Sequence, residues 1–223
     1  MTPDVAFDLQ LPHGRCVAVR LPEGAPAIEA LAELLLPAER AFAAGFGPVR
    51  RRTWIGGRVA MRLALRRLGV EAEAVLSDDR DAPLLPAGIA GSITHKQHIA
   101  AALVGREARA KVGVDIELDV RPRFDVSRKV LAEDEHVELA GMPDDERVKQ
   151  VTLRFSAKEA LYKALDPFVR RYVGFGEVSV TPHPDGSAVV RTRLSSGEGP
   201  FAVEVRWERR DGLVLTTARV QGS

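Results

Sequence analysis

Three acidic residues pose the first chemical question. In Gly113-Val114-Asp115-Ile116-Glu117 the two carboxylates are two positions apart, so on a strand both point to the same face, about 7 Å apart along the chain. Two ionised carboxylates that close repel when sheltered from water, so either one is protonated or a cation lies between them. A hard, oxygen-seeking Mg²⁺ suits the pair, particularly if a substrate brings phosphates. An exposed strand face with two solvated charges is the other reading. The third acid, Glu159, sits in Phe155-Ser156-Ala157-Lys158-Glu159-Ala160-Leu161-Tyr162-Lys163. As a helix, this stretch puts Ala157, Ala160, Leu161, Ala164 and Leu165 on one apolar face. Lys158, Glu159 and Lys163 lie opposite, sharing their arc with Phe155 and Tyr162. Aromatics among charges predict a polar face that is itself covered, by another element or by a ligand. An exposed i,i+4 pair between Glu159 and Lys163 is the plainer alternative.

A second group is basic. Seven arginines lie between Arg50 and Arg67. On a helical wheel Trp54, Met61, Leu65 and Leu68 form an apolar stripe, with Arg62, Arg66 and Arg67 away from it. Arg58 falls at the stripe's edge, where an unpaired guanidinium is costly and needs an anion. That anion is either a carboxylate of the protein or a ligand phosphate held by the planar fork. Gly91-Ser92-Ile93-Thr94-His95-Lys96 brings two hydroxyls, an imidazole and an ammonium into one short stretch entering a β-run, a set able to donate several hydrogen bonds to a phosphate. No P-loop, Rossmann turn, zinc-ligand spacing or nucleophile elbow is present.

The elements that must carry these groups follow from periodicity. Helices are expected from Pro26 to Leu35, from Pro37, and from about Arg51 to Leu68, so the opening third reads mostly helical. A β-like stretch spans Ile93 to Val104, and Lys111 to Leu118 alternates with a period of two. Asp144 to Leu165 reads helical. Four β-rich runs follow, at 175–181, 188–193, 202–207 and 213–220, with turns at Pro184-Asp185-Gly186 and Asp211-Gly212 that predict an antiparallel meander. Helices followed by strands in each half give an α+β protein.

Composition bounds the class. The 223 residues are 45% apolar, and 32 basic against 31 acidic residues leave a formal charge of +1. That balance excludes a polybasic nucleic-acid coat and an acidic disordered tail. The single cysteine, Cys16, excludes an internal disulfide and suits a reducing cytoplasm. No apolar run is long enough to span a bilayer, and Asp4, Asp8 and Pro12 stand where a signal peptide is apolar.

Taken together, the motifs resemble those of the 4′-phosphopantetheinyl transferase superfamily, in its surfactin-type, enterobactin-synthetase-component-D-like branch. The family patterns G-[IV]-D-[IV]-E and [WF]-[SC]-x-K-E-[AS]-x-x-K are matched by Gly113–Glu117 and Phe155–Lys163. G-S-[IL]-[ST]-H is matched by Gly91–His95 and G-R-x-A by Gly57–Ala60. The four motifs occur in the family's order between about Arg50 and Phe175. Two positions depart from the pattern, Phe155 where Trp is frequent and Lys96 where Ser or Cys is frequent.

The resemblance implies transfer of the 4′-phosphopantetheine arm of coenzyme A to a serine of an apo acyl or peptidyl carrier protein, with release of adenosine 3′,5′-bisphosphate. The carriers implied are those of fatty acid, polyketide or nonribosomal peptide synthases, with a leaning towards secondary metabolism and siderophores. It further implies a cytoplasmic monomer of two pseudo-symmetric α+β halves, residues 1–109 and 110–223, with coenzyme A and Mg²⁺ or Mn²⁺ in the cleft between them. Asp115, Glu117 and Glu159 are then the metal carboxylates. Glu159, directly or through a water, is the base for the carrier serine, and Lys163 assists the leaving phosphate, so Asp115, Glu159 and Lys163 form the catalytic set. Arg50 and Arg58 take the adenosine 3′-phosphate, His95 the pyrophosphate, and Ser92 and Thr94 bind nearby. Lys158, Lys163 and Asp115 contact the coenzyme, with Arg80 a further basic residue within reach of the phosphates.

A metal-dependent nuclease also needs clustered acids and a lysine. The balanced charge, the 5% aromatic content and the lack of a Glu-x-Lys after Asp115 at nuclease spacing weigh against it. A non-catalytic carrier-binding module leaves the three acids unexplained.

Overall fold

The computed structural model describes residues 2–121 and 124–222. The chain divides into two compact units, Met1–Ala108 and Arg109–Ser223.

The first unit opens with two strands, β1 (Val5–Leu11) and β2 (Gly14–Arg20), paired as an antiparallel hairpin. Sequence periodicity gave no strand here. The reason is visible in β2, where Cys16, Val17, Ala18 and Val19 are all buried; a strand covered on both faces carries no polar alternation. Three helices follow, α1 (Ala25–Ala32), α2 (Pro37–Ala44) and α3 (Pro48–Arg67). Each has proline in its first turn, where no intrahelical donor is lost. The expected β-like stretch is a hairpin, β3 (Ile89–Lys96) and β4 (Ile99–Arg106), and the sheet runs β1-β2-β4-β3. Helix α3 lies on one face of it, burying Ile55, Val59, Met61 and Leu65 with Val17, Val19, Ala100, Ala102 and Val104.

The second unit begins with β5 (Ala110–Leu118), followed by the short helices α4 (Ser127–Val130) and α5 (Glu133–Glu138) and the long α6 (Asp144–Val169). After a 3₁₀ turn at Phe175–Glu177 come β6 (Val178–Pro182), β7 (Ser187–Thr192), β8 (Phe201–Arg210) and β9 (Leu213–Gly222). The last four strands form the expected antiparallel meander, and β5 adds beside β9 in the order β5-β9-β8-β7-β6. Helix α6 covers this sheet through Ala157, Ala160, Leu161, Ala164 and Leu165, the apolar face read from the sequence, packed against Val178, Val180, Val205, Ala218 and Val220. The protein is α+β, with two antiparallel sheets. No helix among the described residues is long and apolar enough to cross a membrane.

Candidate active site

In the first unit an open cleft of about 740 Å³ lies where α3 meets the end of β3. Arg50, Arg58 and His95 line it together with Lys96, the position that departs from the family pattern. Arg58 is 3% exposed. Its Nε donates to the Val75 carbonyl at 2.7 Å and its Nη2 to Ser77 Oγ at 2.7 Å, and the guanidinium stacks 4.5 Å from the centre of the Trp54 ring. Among the described residues no carboxylate forms an ion pair with it, so the protein carboxylate considered from sequence is not its partner. Burial pulls the guanidinium down to about 10, partly offset by the charges of Glu39 and Asp81. A cation desolvated to this degree favours an anion brought by a ligand. Arg50 lies over the Phe46 ring at 4.7 Å and pairs with Asp81.

The remaining predicted residues of this unit are placed differently. Ser92 and Thr94 are buried, but strand alternation turns them to the sheet face opposite the one that carries His95. Ile93, next to both, contacts α3 at Gly57, which fixes the direction of each neighbour. They therefore do not join His95 in lining the cleft. Arg80 is exposed on the loop closed by the Ser77–Pro83 bridge and is not among the lining residues.

In the second unit Gly113, Asp115 and Glu117 share the face of β5 that meets α6. A Cβ on Gly113 would stand 1.8 Å from the Ala160 carbonyl oxygen; only glycine lets the helix lie this close. Asp115 is 5% exposed and opposite Thr216 on β9. Ser156 Oγ donates to its Oδ2 at 2.9 Å and Lys163 Nζ to its Oδ1 at 3.0 Å, while Lys163 also donates to the Val114 carbonyl at 2.8 Å. Ser156 and Lys163 lie three residues before and four after Glu159, so the third acid leaves α6 on the side that faces Asp115. Glu117 and Glu159 are half-buried. Among the described residues no three acidic, histidine or cysteine side chains are gathered closely enough to hold an ion by themselves. The donor chemistry nonetheless fits Mg²⁺, which takes oxygen ligands and is commonly held by one or two carboxylates, water and substrate phosphates.

Lys158, expected at the coenzyme, is turned inward. Its side chain is 0% exposed, and its three hydrogens are taken by Glu135 Oε2 at 2.6 Å, the Val130 carbonyl at 2.8 Å and the Phe175 carbonyl at 3.0 Å. Burial lowers its pKa and the Glu135 partner offsets that. The covered polar face predicted for α6 is real, and protein covers this part of it: Phe155 and Tyr162 pack on Phe175 at 5.8 and 5.5 Å. Burial pushes the Tyr162 phenol up, and its hydroxyl donates to the Gly174 carbonyl at 3.2 Å. Arg154, also buried, stands 3.8 Å from Glu135 and pairs with Glu138 at 2.6 Å. Glu135, Arg154 and Asp81 were not anticipated. Glu135 and Arg154 carried only the signature of helical surface charges, and Asp81 that of a loop.

Two family descriptions match the sequence, the 4′-phosphopantetheinyl transferase N-terminal domain over residues 38–105 and the 4′-phosphopantetheinyl transferase superfamily over residues 111–218. The chain belongs to the 4′-phosphopantetheinyl transferase superfamily. Among its curated relatives, the 4′-phosphopantetheinyl transferase Npt of Nocardia iowensis is 34% identical over 81% of this chain and 86% of the relative. PptT of Mycobacterium tuberculosis is also 34% identical, over 81% and 84%. Enterobactin synthase component D of Salmonella typhimurium is 31% identical over 76% and 72%. The protein is thus a phosphopantetheinyl transferase. The cleft of its first unit falls within the first match, and the acids of β5 and α6 fall within the second.

Proposed function

We propose that this transferase moves the 4′-phosphopantetheine arm of coenzyme A onto a serine of an apo acyl or peptidyl carrier protein, with Mg²⁺ or Mn²⁺, and releases adenosine 3′,5′-bisphosphate. The observation that carries the reading is the cleft where Arg50, His95 and Lys96 gather about the buried Arg58 guanidinium, which has no carboxylate ion-paired with it among the described residues. Residues 1–109 then serve the coenzyme phosphates and residues 110–223 the transfer.

Arg50 and Arg58 hold the adenosine 3′-phosphate, and His95 and Lys96 donate to the pyrophosphate. Asp115, Glu117 and Glu159 would hold the metal, which when bound neutralises charge on the pyrophosphate oxygens. Glu159 accepts the proton of the carrier serine as its oxygen forms a bond to the β-phosphorus. The bond from that phosphorus to the bridging oxygen breaks, and the electron pair leaves with the adenosine bisphosphate. Lys163, fixed against Asp115 and the Val114 carbonyl, presents an ammonium to the negative charge that develops. The enzyme acts as a cytoplasmic monomer on synthase carriers, including those of siderophore assembly.

The test is mass spectrometry of several apo carriers incubated with the protein, coenzyme A and Mg²⁺. A gain of one phosphopantetheine arm is expected. Unmodified carriers alongside demonstrable coenzyme A binding would instead describe a binding module.

A further inference from the structure

Arg50 does not face the cleft as an open fork. Asp81 sets both carboxylate oxygens on a single nitrogen of it, Nη2, at 2.8 and 3.0 Å. Asp81 is the one acidic residue among those lining the cleft, in company with Arg50, Arg58 and Lys96. Its backbone is left-handed, φ +64°, a conformation that costs an L-residue energy and that glycine adopts freely. The turn holding it is tightly tied. Asp78 Oδ1 accepts from the N–H of Arg80 at 2.8 Å and of Ala82 at 2.9 Å, and the Asp81 N–H donates to the Asp78 carbonyl at 3.3 Å. A fixed turn thus presents a carboxylate to a phosphate-binding arginine.

A residue that merely props Arg50 belongs on the side away from the ligand, whereas Asp81 itself borders the ligand space. Two oxygens on one nitrogen also leave the paired donor edges of the guanidinium unsaturated. A phosphate monoester carries close to two negative charges against one for a carboxylate, and it can use such an edge bidentately. We propose that Asp81 is a resident counter-anion of the coenzyme phosphate site. It holds Arg50 until a dianionic phosphate displaces it, and so raises the charge a ligand must bring. The proposal rests on the reading of this cleft as the coenzyme A site.

The experiment is calorimetric binding of coenzyme A and of 3′-dephospho-coenzyme A to the whole protein, wild type, D81N, R50A, D81N/R50A and R58A. D81N is expected to bind coenzyme A about two- to fivefold more tightly, the scale of an exposed ion pair, with a smaller gain for the dephospho form. R50A should cost little in the wild type and several-fold more in the D81N background. D81G, which also suits the left-handed backbone, should behave as D81N does. Weaker or unchanged coenzyme A binding in D81N and D81G, or an R50A cost equal in both backgrounds, overturns the proposal. If R58A keeps the wild-type preference for coenzyme A over its dephospho form, the cleft is not the 3′-phosphate site, and the proposal falls with that reading.

Discussion

The two units solve one packing problem with the same device. In the first, Glu39 is fully buried at the third position of α2, caps the Leu36 N–H at 2.8 Å, accepts from the Val75 N–H at 2.9 Å and pairs with Arg62 of α3 at 3.0 Å. In the second, Glu135 is 1% exposed at the third position of α5. It caps the Ala132 N–H at 2.7 Å, accepts from the Val180 N–H at 2.8 Å and pairs with Lys158 of α6 at 2.6 Å. A short helix, a distant backbone and a long helix are tied by one carboxylate in each case. The difference is in the cation, since Arg62 keeps 13% exposure and Lys158 none. Lys158 thus corresponds to a scaffold arginine. Counted from the same two cations, Ser156 and Glu159 of α6 stand where α3 has Ala60 and Leu63, whereas Lys163 stands where α3 has Arg67, which likewise pairs with a strand aspartate, Asp8, at 2.7 Å.

The comparison implies that chemistry and coenzyme affinity separate by unit. Glu159→Gln or Glu117→Gln should reduce transfer by roughly 10²–10⁴-fold with coenzyme A affinity nearly unchanged. Single-turnover carrier loading beside calorimetry measures both, and a parallel collapse of affinity would merge the two roles. Next in size, Lys158→Ala leaves the buried Glu135 carboxylate with Arg154, 3.8 Å away, as its remaining cation and should cost about 3 kcal/mol in urea unfolding. Arg62→Ala, whose cation reaches solvent, should cost about 1.5–3 kcal/mol on the scale of hydrogen bonds to charged groups. Normal stability with lost coenzyme binding in Lys158→Ala would return that lysine to the ligand set.

Glycines sharpen the contrast. In α3 a Cβ on Gly57 meets a side-chain methyl, Ile93 Cγ2 at 2.7 Å, whereas on Gly113 it meets backbone. Gly113→Ala should therefore destabilise by about 3 kcal/mol and pull Asp115 away from Ser156 and Lys163, while Gly57→Ala should stay within about 1 kcal/mol, since helix propensity repays part of the crowding. Chemical denaturation of both variants decides the order.

How far the sequence revealed this design depended on which face an element shows. The period of two in β5 and the apolar face of α6 were readable because one side of each differs in polarity from the other. The β1–β2 hairpin was not, since β2 is apolar on both sides. Arg58 was legible as a guanidinium at the edge of an apolar stripe. Nearness in sequence groups Ser92 and Thr94 with His95, whereas adjacent strand residues point to opposite faces and His95 alone of the three lines the cleft of the first unit. The inward turn of Lys158 depended on Glu135, about twenty residues away in the chain, and no local pattern announces such a partner.

The smallest expected effect is a difference in acid tolerance. Arg171 and two backbone donors hold Glu177 down at about 2, and Ser179 with Arg193 holds Asp134 at about 2. Both folded values lie below the unfolded ones, so the stabilisation is complete above pH about 4.5 and is lost as pH falls towards 2. Both carboxylates belong to the second unit, whose amides should lose exchange protection over this range before those of the first. Glu177→Gln should narrow that gap, and loss of protection first in the first unit would contradict it.

The stacking of Arg58 on Trp54 has a use of its own. The chain has two tryptophans, and Trp54 lines the cleft while Trp207 lies on β8. An anion that reaches Arg58 changes the electric field across the indole beneath it and with it the emission. In a Trp207→Phe background the protein would carry a single built-in fluorophore, and occupancy of the cleft could be followed optically without a label.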